Sequence, residues 1–163
     1  LLIVLAPDLV HSRRRLDFGT GFYTTPDERM AKNWALRKMA REGNDTGYIN
    51  VYEILEPVES IKVKSFESMN EEWFDFIYKN RNIYDFRHEY DVVIGPTADA
   101  PIMNILQDYE LGLITKASAL AALKDKTVGT QISFHSTGAI TCLRFIKAIK
   151  INRTIPPGPS RKL

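Results

Sequence analysis

Between positions 16 and 25 the chain reads Leu-Asp-Phe-Gly-Thr-Gly-Phe-Tyr-Thr-Thr, a short run dense in groups that can handle a flat polar ligand. Gly19 and Gly21 permit backbone angles that other residues reach only with strain, and they let a ligand approach the main chain. Phe22 and Tyr23 offer apolar faces on which a ring can stack, while Thr24 and Thr25 carry hydroxyls that orient polar groups or cap a helix. A tight turn entering a strand, with Phe22 in the core and Tyr23 half buried, accounts for the same residues. Thr25-Pro26-Asp27-Glu28 then reads as an N-cap, a first-position proline and a capping-box glutamate. Met30, Ala31, Trp34, Ala35 and Met39 follow at helical spacing. Trp34 stands eleven residues after Tyr23, so a strand end, a turn and a short helix can bring both aromatics to one flat pocket. The alternative is that Trp34 fills the inner face of its helix.

The elements that must position these groups are short and irregularly mixed. The apolar run at 1–6 reads as a strand, as do 48–54 and 61–66. Residues 70–81 read as a helix capped by Asn70, with Trp73, Phe76 and Ile77 inward. A strand at 90–96 stops at Gly-Pro, and Asp99 caps a helix whose Ile102, Ile105, Leu106 and Tyr109 share a face before Gly112 ends it. Thr115 starts another helix to Lys124, 130–135 is a strand, 136–138 a turn, and 143–151 a last strand. This order predicts an α+β domain rather than a doubly wound sheet.

Composition sets outer bounds. A chain of 163 residues, 44% hydrophobic, has enough length for one packed domain, expected over 1–155 with a flexible proline-rich tail at 156–163. A net charge of +2 carries no strong polyanion signal. Cys142, the only cysteine, excludes an internal disulfide and a cysteine metal cluster, and suits a reducing, cytoplasmic compartment. No apolar run reaches the roughly 18 residues of a spanning helix, so no membrane partner is expected. His88 and His135 lack carboxylate or cysteine partners at metal-ligand spacing, so no metal is expected, and no serine–histidine spacing marks a nucleophile.

Gly19-x-Gly21-Phe22-Tyr23 followed by Ala31-Lys32-Asn33-Trp34 resembles the ADP-ribosyltransferase superfamily, in particular its poly(ADP-ribose)-polymerase-like branch. Pro7-Asp8-Leu9, Ser12-Arg13-Arg14, Trp73-Phe74-Asp75-Phe76 with Asn80-Arg81, Tyr90 through Pro96, and Gln131-Ile132-Ser133-Phe134 extend the likeness in order along nearly the whole chain. The fuller pattern is similar to an uncharacterised bacterial family of that clan, thought to supply toxin components of toxin–antitoxin pairs.

The resemblance implies a split, two-sheet fold and NAD as substrate. It implies mono-ADP-ribosyl transfer to a protein or nucleic-acid target, with a cognate antitoxin as a further partner. In that scheme Tyr23 and Trp34 clamp the nicotinamide, Gly19, Gly21 and Phe22 shape its pocket, and Thr24 or Thr25 orients the ribose. Gln131 grips a ribose hydroxyl at the position where many relatives place glutamate. Arg13 meets the pyrophosphate, since guanidinium offers bidentate contacts to phosphate. Glutamine carries no charge, so it neither stabilises an oxocarbenium-like transition state as carboxylate does nor acts as a base. Asp17 and Asp99 are the candidate carboxylates to take that part, each equally well read as a turn or cap residue. The family's first-strand histidine or arginine has no clear match and is expected upstream of Leu1, leaving the N-terminal strand incomplete. Two alternatives stand beside this reading. One is a catalytically silent domain of the same fold that binds a nucleotide or partner protein; the other is a relative of the NAD-dependent RNA 2′-phosphotransferases.

Overall fold

A computed structural model describes residues 2–56 and 60–153; Leu1 and the expected tail lie outside the described residues. β1 (Phe22–Thr24), β5 (Thr130–Phe134), β4 (Val92–Pro96) and β3 (Val63–Ser65) form a four-stranded sheet in that order. β2 (Thr46–Ile54) and β6 (Leu143–Asn152) pair antiparallel as a second sheet. The helices are α1 (Glu28–Glu42), α2 (Glu71–Asn82), α3 (Ala100–Glu110), α4 (Lys116–Leu123) and the single turn α5 (Thr137–Ile140). β3 and β4 are parallel, a pairing that needs a crossover, and α2 supplies it. The architecture is α+β.

Strand register decides which side chains meet. Tyr23 lies opposite Ser133, Ser133 opposite Val93, and Gln131 opposite Gly95. Cross-strand partners point the same way and neighbours alternate, so Tyr23, Val93, Gln131 and Ser133 share one face. That face meets the largest core cluster, with Phe18, Trp73, Phe76 and Ile77 at its centre. Phe22, Val92, Ile94, Ile132 and Phe134 face the other way and pack on Ala139 and Ile140. A third cluster seats Ala35 and Met39 of α1 on Ile49 and Ile151 of the two-stranded sheet. Gly95 leaves little room for a side chain: a Cβ there would stand 3.2 Å from the Phe18 ring and 3.1 Å from Phe66.

The expected caps at Asn70, Asp99 and Thr115 are present, each side chain accepting from the backbone N–H three residues on. Three expectations are corrected. Asp27, not Thr25, caps α1, because the Thr25 hydroxyl donates to Thr130 O and accepts from Asp27 N, leaving Pro26 ahead of the helix. Residues 2–6 form no strand; Val4 is held instead by the side chains of Asn50 and Tyr52. β3 is shorter than 61–66, since Lys62 N–H turns to the Asp91 carboxylate.

The two tryptophans differ sharply. Trp73 is fully buried and donates from Nε1 to Pro96 O at 3.1 Å, whereas Trp34 is 36% exposed. Trp73→Ala should therefore cost about 3–5 kcal/mol of stability. Trp34→Ala should cost less than about 1 kcal/mol. Denaturant unfolding of the two variants checks this, and equal losses would overturn the packing assignment.

Candidate functional site

The site is built around a turn. Gly19 N–H donates to Leu16 O at 3.0 Å, and Gly19 takes φ 86°, a left-handed angle that glycine adopts without a Cβ penalty. The turn aims Asp17 inward, where a buried carboxylate needs donors around it. Its Oδ1 accepts from Arg81 Nε at 2.9 Å and from Arg81 Nη2. Its Oδ2 accepts from Gln131 Nε2 at 2.8 Å and from Ala98 N–H at 3.0 Å. The last turn of α2, strand β5 and the link from β4 to α3 thus converge on one side chain. A carboxylate only accepts, so the nitrogen end of the Gln131 amide must face it. Gln131 Oε1 accepts nothing among the described residues.

Four successive carbonyls of the glycine run are each held by a different side chain. His88 Nε2–H donates to Phe18 O at 2.9 Å, and the Tyr23 hydroxyl donates to Gly19 O at 2.7 Å. His135 Nδ1–H donates to Thr20 O at 2.8 Å, and Ser12 Oγ–H donates to Gly21 O at 2.8 Å. The carbonyls can only accept, which fixes both histidine tautomers. His88 Nδ1 then accepts from Tyr90 N–H, and His135 Nε2 from Ser133 Oγ at 2.8 Å.

Burial sets the protonation of these groups. It pushes the Tyr23 phenol pKa well up; the Asp17 charge adds to this, while the hydrogen bond from Phe18 N–H opposes it. Burial lowers His88, and it lowers His135 from 6.5 to about 4, with the facing His88 ring contributing. The two imidazoles meet edge to face, centroids 4.5 Å apart. Both are therefore neutral donors at pH 7.

Several expectations change against this geometry. Gly19 and Gly21 do serve close approach, but the approaching atoms are the chain's own. A Cβ at Gly19 would stand 2.7 Å from Asn80 Oδ1, and one at Gly21 2.7 Å from His135 Nδ1 and 2.8 Å from Phe134 O. Tyr23 is tied through its hydroxyl and has His135 as its ring neighbour, at 6.4 Å. Phe22 lies on the opposite face, edge-on to Tyr52 at 5.8 Å. Thr24 and Thr25 donate to Ile132 O and Thr130 O, fastening β1 to β5. Trp34, 36% exposed, joins none of the three core clusters and makes no ring pair among the described residues, so it does not fill the core as the alternative reading had it. Arg13 is exposed and makes no hydrogen bond or ion pair among the described residues. Of the two candidate carboxylates, Asp17 reaches Gln131 and Asp99 is a helix cap.

Two clefts open nearby. One of about 240 Å³ runs between α2 and α3, bordered by Arg15, Arg81 and Gln107. A second of about 650 Å³ is bordered by Met69, Leu120 and Lys124 and reaches Pro96 and Thr130, beside Gln131. Neither is lined by Tyr23, Trp34 or Gln131. No group of three or more histidine, cysteine, aspartate or glutamate side chains among the described residues could hold a metal ion, and no described helix is long and apolar enough to cross a membrane.

Sequence reasoning missed two arrangements. One is the Arg81 guanidinium at the end of α2, which reaches Asp17 across 64 positions of sequence. The other is the Ser133–His135 hydrogen bond; Ser133 is fully buried, so the bond works as a tie and not as a nucleophile pair. Period-two spacing on one strand was the signal that could have found it.

Two outcomes test these assignments. Gln131→Glu would set a second carboxylate against Asp17 and should lose about 1–3 kcal/mol at pH 7, as should Asp17→Asn. Combining them restores one donor facing one acceptor, so the double variant should be more stable than the sum of the singles by about 1–3 kcal/mol; additive losses would break the assigned contact. The histidines give an acid limb. A folded pKa below the unfolded value means the unfolded chain binds more protons, so stability is complete above about pH 6.5 and falls as pH drops toward 4. The melting temperature should fall by several degrees between pH 7 and pH 5, and His135→Gln should flatten that slope. An unchanged acid limb in that variant would count against a buried neutral imidazole.

No curated protein and no solved structure matches the chain. A family model described as a protein of unknown function, DUF3990, matches residues 2–145. That match runs through the glycine turn, Arg81, both histidines and Gln131, and the chain belongs to this family.

Proposed function

We propose that the chain is an NAD-dependent mono-ADP-ribosyltransferase module with the split two-sheet fold of that superfamily, acting in the cytoplasm on a protein or nucleic acid. The observation that carries the reading is the Gln131 amide: Asp17 holds its nitrogen, and its oxygen is left as an oriented, unengaged acceptor on the sheet face shared with Tyr23. An acceptor so placed suits a ribose hydroxyl, which must donate when gripped. The resemblance in the glycine–aromatic run and the pairing of β1 with β5 support it further. The exposed Trp34 indole supplies a surface for a nicotinamide ring to stack on. Because Gln131 is buried, the reading requires the side chains around its oxygen to part while Asp17 keeps hold of its nitrogen.

A second reading, a silent domain that binds a nucleotide without transfer, is favoured by one feature. The carboxylate beside Gln131 already accepts four hydrogen bonds and is paired with Arg81. Nicotinamide release separates the two readings.

Millimolar NAD should raise the melting temperature by about 5 °C or more when its concentration is about 100 times Kd. Trp34→Ala, which leaves the core intact, should abolish the shift, and Gln131→Ala should weaken it. Labelled NAD incubated with the protein and a cell lysate should then label the protein or the nucleic-acid fraction. The absence of any thermal shift at millimolar NAD would remove NAD from the account; a shift without nicotinamide release would select the silent domain.

A further inference from the structure

Next to the turn, on the outer side of Asp17, lies a basic and aromatic patch that the NAD reading does not use. Arg15 takes φ 59°, the one non-glycine residue among those described with a left-handed angle. An arginine held there is strained, and such outliers cluster at binding sites and ligand clamps. Its guanidinium carbon stands 5.9 Å from the centroid of the Tyr84 ring, and Arg14 Nη1 reaches the Tyr84 hydroxyl at 3.4 Å. Tyr84 is 70% exposed, a large ring flanked by two cations and covered by no core residue. Arg14 and Arg15 make no ion pair among the described residues, so neither charge is neutralised by a carboxylate there. Arg15 also borders the 240 Å³ cleft, which Asn82 and Gln107 line with amides and Glu110 with a carboxylate, while the Arg81 charge there is paired with Asp17. That volume lies below the roughly 300 Å³ at which drug-sized pockets begin and suits a single planar base.

We propose that Arg14, Arg15 and Tyr84, with the adjoining cleft, form a binding site for single-stranded nucleic acid. Tyr84 offers a face for a base, the two arginines meet the flanking phosphates, and the amides of the cleft read a base edge. Aromatic faces and guanidinium groups in this combination are how strands are held without a duplex groove. The overall charge of +2 does not oppose this, because the cations are gathered on one patch. The site stands independently of NAD. Only its role as the acceptor site rests on the transferase reading, and Arg15 is two residues from Asp17.

The test is fluorescence anisotropy without NAD, using labelled RNA and DNA strands of about 12 nucleotides, titrated from about 50 to about 200 mM salt. An acidic peptide of matched charge is the control. Binding should weaken steeply with salt, and Tyr84→Ala and Arg15→Gly should each weaken it about 10-fold. Arg15→Gly relieves the left-handed strain, so its melting temperature should hold or rise while binding falls, which separates lost recognition from lost folding. The RNA and DNA arms identify the strand. No binding at the lowest salt, equal binding of the peptide, or affinity untouched by both substitutions would overturn the site. Failure of the NAD shift leaves this measurement standing, and its failure leaves the NAD measurement standing.

Discussion

A carboxylate cannot sit inside an apolar face without donors on every side, and the burial of Asp17 imposes that condition on this chain. Its four donors come from Arg81 at the end of α2, Gln131 in β5 and Ala98 between β4 and α3. Three elements far apart in sequence must therefore hold one relative position, or a buried charge loses its partners. Such a pair adds little net stability over apolar packing, but breaking it by removing one member is costly. Its effect is to select one arrangement of turn, helix and sheet. Phe18, the next residue, then enters the core between Phe66 and Phe76.

The same logic governs the carbonyls of 18–21. A turn between Asp17 and β1 has no ladder to satisfy its backbone, yet it lies against the core, where an unpaired carbonyl is expensive. Ser12, Tyr23, His88 and His135 supply the missing donors one by one. Gly21 carries no side chain because the His135 ring comes close, and Gly19 because the Asn80 amide does. The burial that lets the imidazoles serve as neutral donors also disfavours their charged forms, so acid tolerance and turn geometry are set by the same contacts.

Local chemistry was legible in the sequence, and long-range chemistry was not. Asn70, Asp99 and Thr115 cap their helices as the residue types and spacing indicate, because a cap needs only its own next turn. Thr25 looked equally good, but a backbone carbonyl of β5 takes its hydroxyl, and Asp27 caps instead. The α+β class followed from element order, while the pairing of β1 with β5 depends on contacts more than 100 positions apart. The glycine–aromatic run reads in sequence as a place of close approach. Its glycines answer to Asn80 and His135, which no periodicity connects to them.

The charge at the sheet face bears on why glutamine stands at 131. Asp17 and Arg81 cancel, and Gln131 adds nothing, so the cluster sums to zero; glutamate there would make it negative and would face Asp17 across a hydrogen-bond distance. On the transferase reading the forgone term has a size. A full charge about 5 Å from a developing cation, at an effective dielectric of about 20, contributes about 3 kcal/mol. That is roughly a hundredfold in rate. The lone amide oxygen recovers part of this through its dipole, and it is aimed because Asp17 fixes the other end of the amide. The buried pair that excludes a glutamate from this position is thus also the device that orients the glutamine in its place.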